Sequence, residues 1–247
     1  MIVEKTELSE VQKLCVLSFD EMKIKKCYMY DKANDATLQP YNYVQVAILR
    51  GLVGNWKQPI FYDYDCAMSK AKLFEIISFV EKAGFPIVAV VSDLGGGNRA
   101  LHKELGITMQ QTWFLSPVSN QKIYCFADVP HLIKLLRNHF VDDGFLLNSV
   151  EINKDIIERV IQLTTSTDLN IAHKISMDTL HVKGCQRQKV KFATKLFSHT
   201  ISRAITRCGM LEGLSEQNWI VCANFFKDVI LKKVNILYLF FYFVYIF

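Results

Sequence analysis

Apolar residues in the first 140 positions recur at two periods that alternate along the chain. The segments 14–19, 27–30 and 43–50 read as strands, rich in β-branched and aromatic residues. Ala71, Leu73, Phe74, Ile76, Ile77, Val80 and Ala83 then fall on a helical stripe, which Gly84-Phe85-Pro86 stops. The apolar run 87–92 predicts a buried strand, followed by a helix from Asn98 to about Leu105 and a strand from Lys122 to Ala127. Pro130 opens a helix over His131 to Phe140. Beyond residue 150 the strand signals vanish. Helical stripes appear at Ile156, Ile157, Val160 and Ile161, and again at Val190, Ala193, Leu196, Phe197, Ile201, Ala204 and Ile205, where Gly209 closes a helix expected over Gln188 to Cys208. With no internal repeat and no low-complexity linker, the pattern predicts an α/β unit followed by a mostly helical one.

Two carboxylates sit where this pattern ends strands. The first strand, read here as Val16-Leu17-Ser18-Phe19-Asp20-Glu21-Met22, carries an aspartate towards its end, and Ile87 to Ser92 runs into Asp93. Carboxylates at the ends of adjacent strands form a hard oxygen site for Mg²⁺, and paired Mg²⁺ ions are common machinery for cutting and joining phosphodiesters. Strand-end aspartates also occur in many α/β proteins without this role. Gly95-Gly96-Gly97-Asn98 follows directly. A tight turn needing positive φ is its first reading, close approach of a nucleic-acid backbone to Asp93 the second, and a dinucleotide cradle the last, since no G-x-x-x-x-G-K-[ST] is present. In the helix that follows Asp128, which is placed as its cap, His131, Lys134 and Asn138 share one face flanked by Arg137. Leu132, Ile133, Leu135 and Leu136 take the buried side. That basic face is either ordinary solvated surface or a place for phosphates beside the carboxylates.

Composition narrows the classes. An apolar content of 51% with 12% aromatics excludes a disordered chain. A formal charge of +5 is compatible with a polyanionic partner without demanding one. Seven scattered cysteines with no C-x-x-C pair suit reduced thiols. His173, His181, Cys185 and Cys208 can be drawn as a zinc set, but their spacing matches no familiar arrangement.

The segments LSFDEM, VQVAILRGLVGNWKQPIFYDY, GFPIVAVVSDLGGGNRALHKELGI and KIYCFADVPHLIKLLRNH, taken in order, resemble successive blocks of the P element transposase family and its THAP-domain-containing vertebrate relatives. The likeness runs over about residues 8–228. It implies an RNase H-like catalytic domain, a mixed sheet with helices, over 8–140. A partial helical GTP-binding insertion follows over 141–230, and an unrelated apolar tail over 231–247. Asp20 matches the family's first catalytic aspartate and Asp93 its second, both as Mg²⁺ ligands. Asp128 and His131 match a D-x-x-H block, seen in a related form in hAT transposases, which makes His131 a further catalytic candidate.

The resemblance also places Asp168, Lys174, Lys189, Val190 and Ser198 around GTP. A carboxylate can accept the guanine N–H donors and a lysine can meet phosphates; without the resemblance these would read as solvated helix residues. No phosphate loop accompanies them, so GTP is expected as a structural or regulatory ligand. The partners implied are DNA at transposon ends, GTP and a homo-oligomer, in the nucleus. The zinc-coordinating THAP module and the later catalytic glutamate find no match in this sequence. The expected protein is therefore a transposase fragment, or transposase-derived protein, inactive in strand cleavage alone. The alternative is a catalytically dead protein that binds nucleic acid or a partner. The run Ile236 to Phe247 is too short to span a bilayer, which takes about 20 residues, and Lys232 and Lys233 oppose its extension. Its Phe, Tyr, Ile and Leu share T- and A-rich codons, which suggests a reading frame run into non-coding sequence or a decayed element.

Overall fold

A computed structural model describes residues 8–108, 110–165, 171–211, 214 and 216–231. Two compact units divide the chain, the first ending at Asp128 and the second beginning at Val129.

In the first unit α1 (Glu10–Lys13) leads into β1 (Cys15–Lys23), a small hairpin β2 (Met29–Asp31) and β3 (Ala36–Leu38), then β4 (Tyr43–Gly51) and β5 (Lys57–Tyr64). There follow α2 (Lys70–Lys82), β6 (Ile87–Ser92), α3 (Gly96–Glu104), β7 (Trp113–Leu115) and β8 (Lys122–Ala127). Six strands form one sheet in the order β5-β4-β1-β6-β8-β7. β1, β6 and β8 run parallel, while β4, β5 and β7 pair antiparallel with their neighbours.

Period-two alternation decides the two faces of that sheet. Leu17 pairs with Leu49 and Val90, and Val90 with Cys125, and all four are buried in one apolar row. α2 adds Leu73, Ile76, Ile77 and Val80 to this core, and Phe74 stacks on Phe114 of β7. Ser69 caps the helix start, and Gly84 ends it at φ +87°, a conformation that residues with a Cβ avoid. The opposite face is open to water in part: Ser18 pairs with Ile48 and Val91, and Asp20 with Val46, which itself pairs with the exposed Tyr62.

The second unit opens with α4 (Val129–Asp142), a hairpin of β9 (Phe145–Leu147) and β10 (Val150–Ile152), and α5 (Lys154–Thr165). α6 (Met177–Leu180), a 3₁₀ turn over Gly184–Gln188, α7 (Val190–Leu196), α8 (His199–Met210) and α9 (Glu216–Leu231) complete it. Asn148 and Ser149 both adopt positive φ, the signature of a two-residue turn whose twist matches its strands. Phe140, Phe197 and Phe226 are buried together, with the Phe226 ring 5.0 Å from Phe197 and 5.4 Å from Phe140.

Several expectations need correction. The helix predicted across 188–208 is two: its stripe is buried as expected, but the backbone leaves helical geometry at Phe197 and Ser198. Serine favours the extended N-cap conformation, and the break seats Phe197 in the aromatic cluster. Gly209 does not close the helix. It lies inside α8, where an added Cβ would stand 2.1 Å from the Trp219 ring, so its role is close approach of α9. Arg137 is no part of a basic surface: it is 2% exposed and donates to the Leu180 carbonyl at 2.6 Å, whereas Leu135, expected inside, is exposed.

Candidate functional site

The parallel pairing of β1 with β6 sets the geometry of the two carboxylates. Ser18 stands opposite Val91, and Asp20 and Asp93 each lie two residues further on. Neighbouring strands run about 4.8 Å apart, so two short carboxylates at the same level can reach one ion. β8 continues the pattern, because Ser92 pairs with Ala127 and the Asp128 N–H donates to the Ser92 carbonyl at 2.8 Å. Asp93 and Asp128 thus stand just past β6 and β8, and Asp20 lies within β1, three residues before its end. Three aspartates therefore lie towards one edge of three adjacent parallel strands, the edge at which open α/β sheets place their ligand sites. Among the described residues no group of three or more His, Cys, Asp or Glu is close enough to hold an ion. Asp20 and Asp93 are the candidate donors.

Each carboxylate has one oxygen engaged. Asp20 Oδ1 accepts from the Glu21 N–H at 2.8 Å, and Asp93 Oδ1 accepts from the Gly95 N–H at 3.0 Å and from Asn98 Nδ2 at 2.6 Å. Oδ2 of each carboxylate receives no hydrogen bond from the described residues. Two carboxylates presenting one oxygen apiece fit a hard divalent cation such as Mg²⁺, which takes few protein ligands and keeps several waters. Asp20 is exposed and Asp93 half-buried, so both can meet a ligand from solvent.

The glycine run takes a form other than the expected one. α3 begins at Gly96, two residues before the predicted start, and Gly95 caps it at φ −57°, with no positive φ from Gly95 to Gly97. What Gly95 supplies is room: an added Cβ would lie 3.2 Å from Asp93 Oδ1 and 3.4 Å from Oδ2. Behind this turn His102 is 6% exposed, its Nε2 3.4 Å from the Ser92 hydroxyl. Burial pushes its pKa down to about 4, outweighing the upward pull of the Asp93 charge, so the ring is neutral near pH 7. Neither Asn98 nor His102 stood out in the sequence as a partner of Asp93. The five-residue spacing from Asp93 to Asn98, within one strand-to-helix turn, was the available signal.

The remaining candidates lie in the second unit. His131 is half-buried in the first turn of α4. Lys174 is exposed at the end of a turn; Lys189 is exposed at the junction of the 3₁₀ turn and α7; Val190, half-buried, starts that helix. Ser198 is half-buried at the start of α8, where its hydroxyl donates to the Lys195 carbonyl at 2.8 Å instead of capping. Lys189 and Ser198 thus flank α7, whose seven residues span about 10 Å at 1.5 Å per residue. Asp168 lies outside the described residues. Of the drawn zinc set, Cys208 is buried while His173, His181 and Cys185 are exposed, and His181 pairs with Glu158 at 2.9 Å. All seven cysteines are free, and burial pushes the Cys15 and Cys125 thiols up to about 12. No described helix is long and apolar enough to cross a membrane.

Comparison with known proteins bears on both units. The family described as TNP-like, RNase H N-terminal domain matches residues 1–106, and that described as TNP-like, GTP-binding insertion domain matches residues 130–229. The chain is 42% identical to the Transposable element P transposase of Drosophila melanogaster over 227 residues, which is 92% of this chain and 30% of that protein. It is 27% identical to the human DNA transposase THAP9 over 188 residues, 72% of this chain and 20% of that protein. In structure it matches a chain of the Drosophila P element transposase strand transfer complex with a TM-score of 0.83 and 44% identity, covering 88% of this chain and 49% of that one. It spans less than a third of the length of the curated relatives it matches.

Proposed function

The chain belongs to the P element transposase family, and we propose that its first unit carries part of a DNA strand-cleaving and joining site in which Asp20 and Asp93 are the metal ligands. The observation that supports this most is the strand register, which pairs Ser18 with Val91 on neighbouring parallel strands, two residues before each aspartate. Mg²⁺ bound there would polarise the attacking oxygen and stabilise the departing one in a phosphodiester displacement. The chain's own part is geometric. β1 and β6 pair as far as Ser18 and Val91, two residues before each aspartate, and one oxygen of each carboxylate is held by a protein donor. DNA is the proposed substrate, the nucleus the proposed compartment, and a homo-oligomer the proposed assembly. His131, next but two after Asp128, remains a candidate for the reacting centre on the strength of the resemblance.

The second unit is the proposed GTP-binding part, with Lys174, Lys189, Val190 and Ser198 the described candidates for contact and Asp168 the further one. The match to a GTP-binding insertion domain supports this, as does the exposure of both lysines, which leaves their ammonium groups available to phosphates. These 247 residues are not expected to cleave DNA alone, because two carboxylates give an incomplete ligand set for paired ions.

Calorimetric titration of the purified chain with Mg²⁺ and with GTP tests both halves. Asp20→Asn and Asp93→Asn should each abolish the Mg²⁺ heat and leave the GTP heat, and Lys189→Ala should do the reverse. Mg²⁺ binding untouched by either aspartate substitution would refute the carboxylate pair.

A further inference from the structure

We propose that Asn98 is a positioning residue for the carboxylate pair: with the Gly95 N–H it holds Asp93 in one rotamer and leaves the second carboxylate oxygen for a divalent cation. This role rests on reading Asp20 and Asp93 as metal ligands. Asp93 needs such a partner because it stands just past β6, beyond the last paired residue, Ser92. There the sheet no longer restrains its backbone, and a free carboxylate turns about χ1 and χ2.

The two donors solve this in a specific way. Asn98 Nδ2 lies 2.6 Å and the Gly95 N–H 3.0 Å from the same oxygen, Oδ1. Bonds to one oxygen fix the plane of the carboxylate and leave the lone pairs of the other unspent. Asn98 is half-buried in the first turn of α3, so its own backbone is anchored and its short side chain has little freedom to lose. An amide is also the suitable donor, since it orients Asp93 without cancelling the negative charge that a cation requires. The neighbouring cation is kept off this oxygen: Arg99 Nε donates to the Leu94 carbonyl at 3.3 Å. Gly95 completes the clamp by having no Cβ, which would otherwise press on both carboxylate oxygens.

The test is Mn²⁺ binding by the purified 247-residue chain, followed by electron paramagnetic resonance, with thermal unfolding recorded for each variant. Asn98→Leu keeps the size of the side chain and removes the donor. Gly95→Ala, allowed by its φ of −57°, crowds the carboxylate from an exposed position. Both should keep the wild-type unfolding midpoint and weaken Mn²⁺ affinity about tenfold or more, the scale typical of lost outer-shell partners, while Asp93→Asn removes the site. Wild-type affinity in both variants, with binding still lost in Asp93→Asn, would overturn the positioning role and leave the metal pair standing. No Mn²⁺ binding by the wild-type chain would overturn the pair and this role together. If Asn98→Leu lowers the midpoint, Gly95→Ala decides by the same criteria.

Discussion

The two units hold their candidate chemistry in opposite ways. In the first, Asp20 lies within β1 and Asp93 just past β6, each two residues beyond the last paired position of the two strands, and one oxygen of each carboxylate is held by a protein donor. In the second, the packed element is an aromatic cluster of Phe140, Phe197 and Phe226, and the described candidate contacts lie outside it on turns and helix starts. A metal ion tolerates little error in ligand direction, so its ligands belong on rigid backbone. A nucleotide can be met by side chains that settle on binding. Hydrogen bonds thus hold the carboxylates in one unit, while in the other the tightest packing is at the core, away from the described candidate contacts.

The largest expected effect breaks one half of that comparison only. Phe226→Ala removes a fully buried ring and should destabilise the second unit by about 3–5 kcal/mol. GTP binding should fall with it while Mn²⁺ binding at Asp20 and Asp93 persists, as parallel titrations would show. Loss of Mn²⁺ binding as well would mean that the carboxylate pair depends on the second unit's core.

Next in size is a pH effect confined to the first unit. His102 is depressed from 6.5 to about 4 by burial. Above pH 6.5 it is neutral in both folded and unfolded chains and contributes nothing to the slope. As pH falls from 6.5 towards 4 the unfolded chain takes up the proton first, so stability is lost over that window, by at most about 3 kcal/mol. Urea denaturation of wild type and His102→Gln at pH 7 and pH 4.5 should show a smaller acid loss in the variant. Equal losses would remove His102 from the explanation. The smallest effect sharpens the second unit: Ser149→Gly relieves a positive φ of 64° in the β9–β10 turn and should raise stability by under about 1 kcal/mol in the same assay.

Legibility in the sequence followed the same divide. The buried strands were readable because a continuous apolar run or a strict alternation identifies them, and β8 spans Lys122–Ala127 as its pattern predicts. β5 was not readable: it is an edge strand that carries Pro59, tolerated there beside a register irregularity opposite Ala47 and Ile48. β1 runs on to Lys23, past its last apolar alternation, because its pairing with β4 continues to Tyr43. The break at Phe197 and Ser198 was hidden because the apolar stripe keeps its period across the interruption. Burial of Arg137 could not be read either, since its compensation is a backbone carbonyl 43 residues away. Asp93 was legible as a strand end, whereas Asp20, expected at one, lies three residues inside β1. The Asn98 and Gly95 contacts were not, because they depend on the path of a turn that the glycines leave undetermined.

Locating Mn²⁺ by its anomalous scattering in crystals of the full chain tests the carboxylate pair most directly. A peak within about 2.5 Å of one oxygen from Asp20 and one from Asp93, absent from Asp93→Asn crystals, is the predicted result. Mn²⁺ bound elsewhere, with both aspartates free of it in a fully occupied crystal, would contradict the pairing that the β1–β6 register supports.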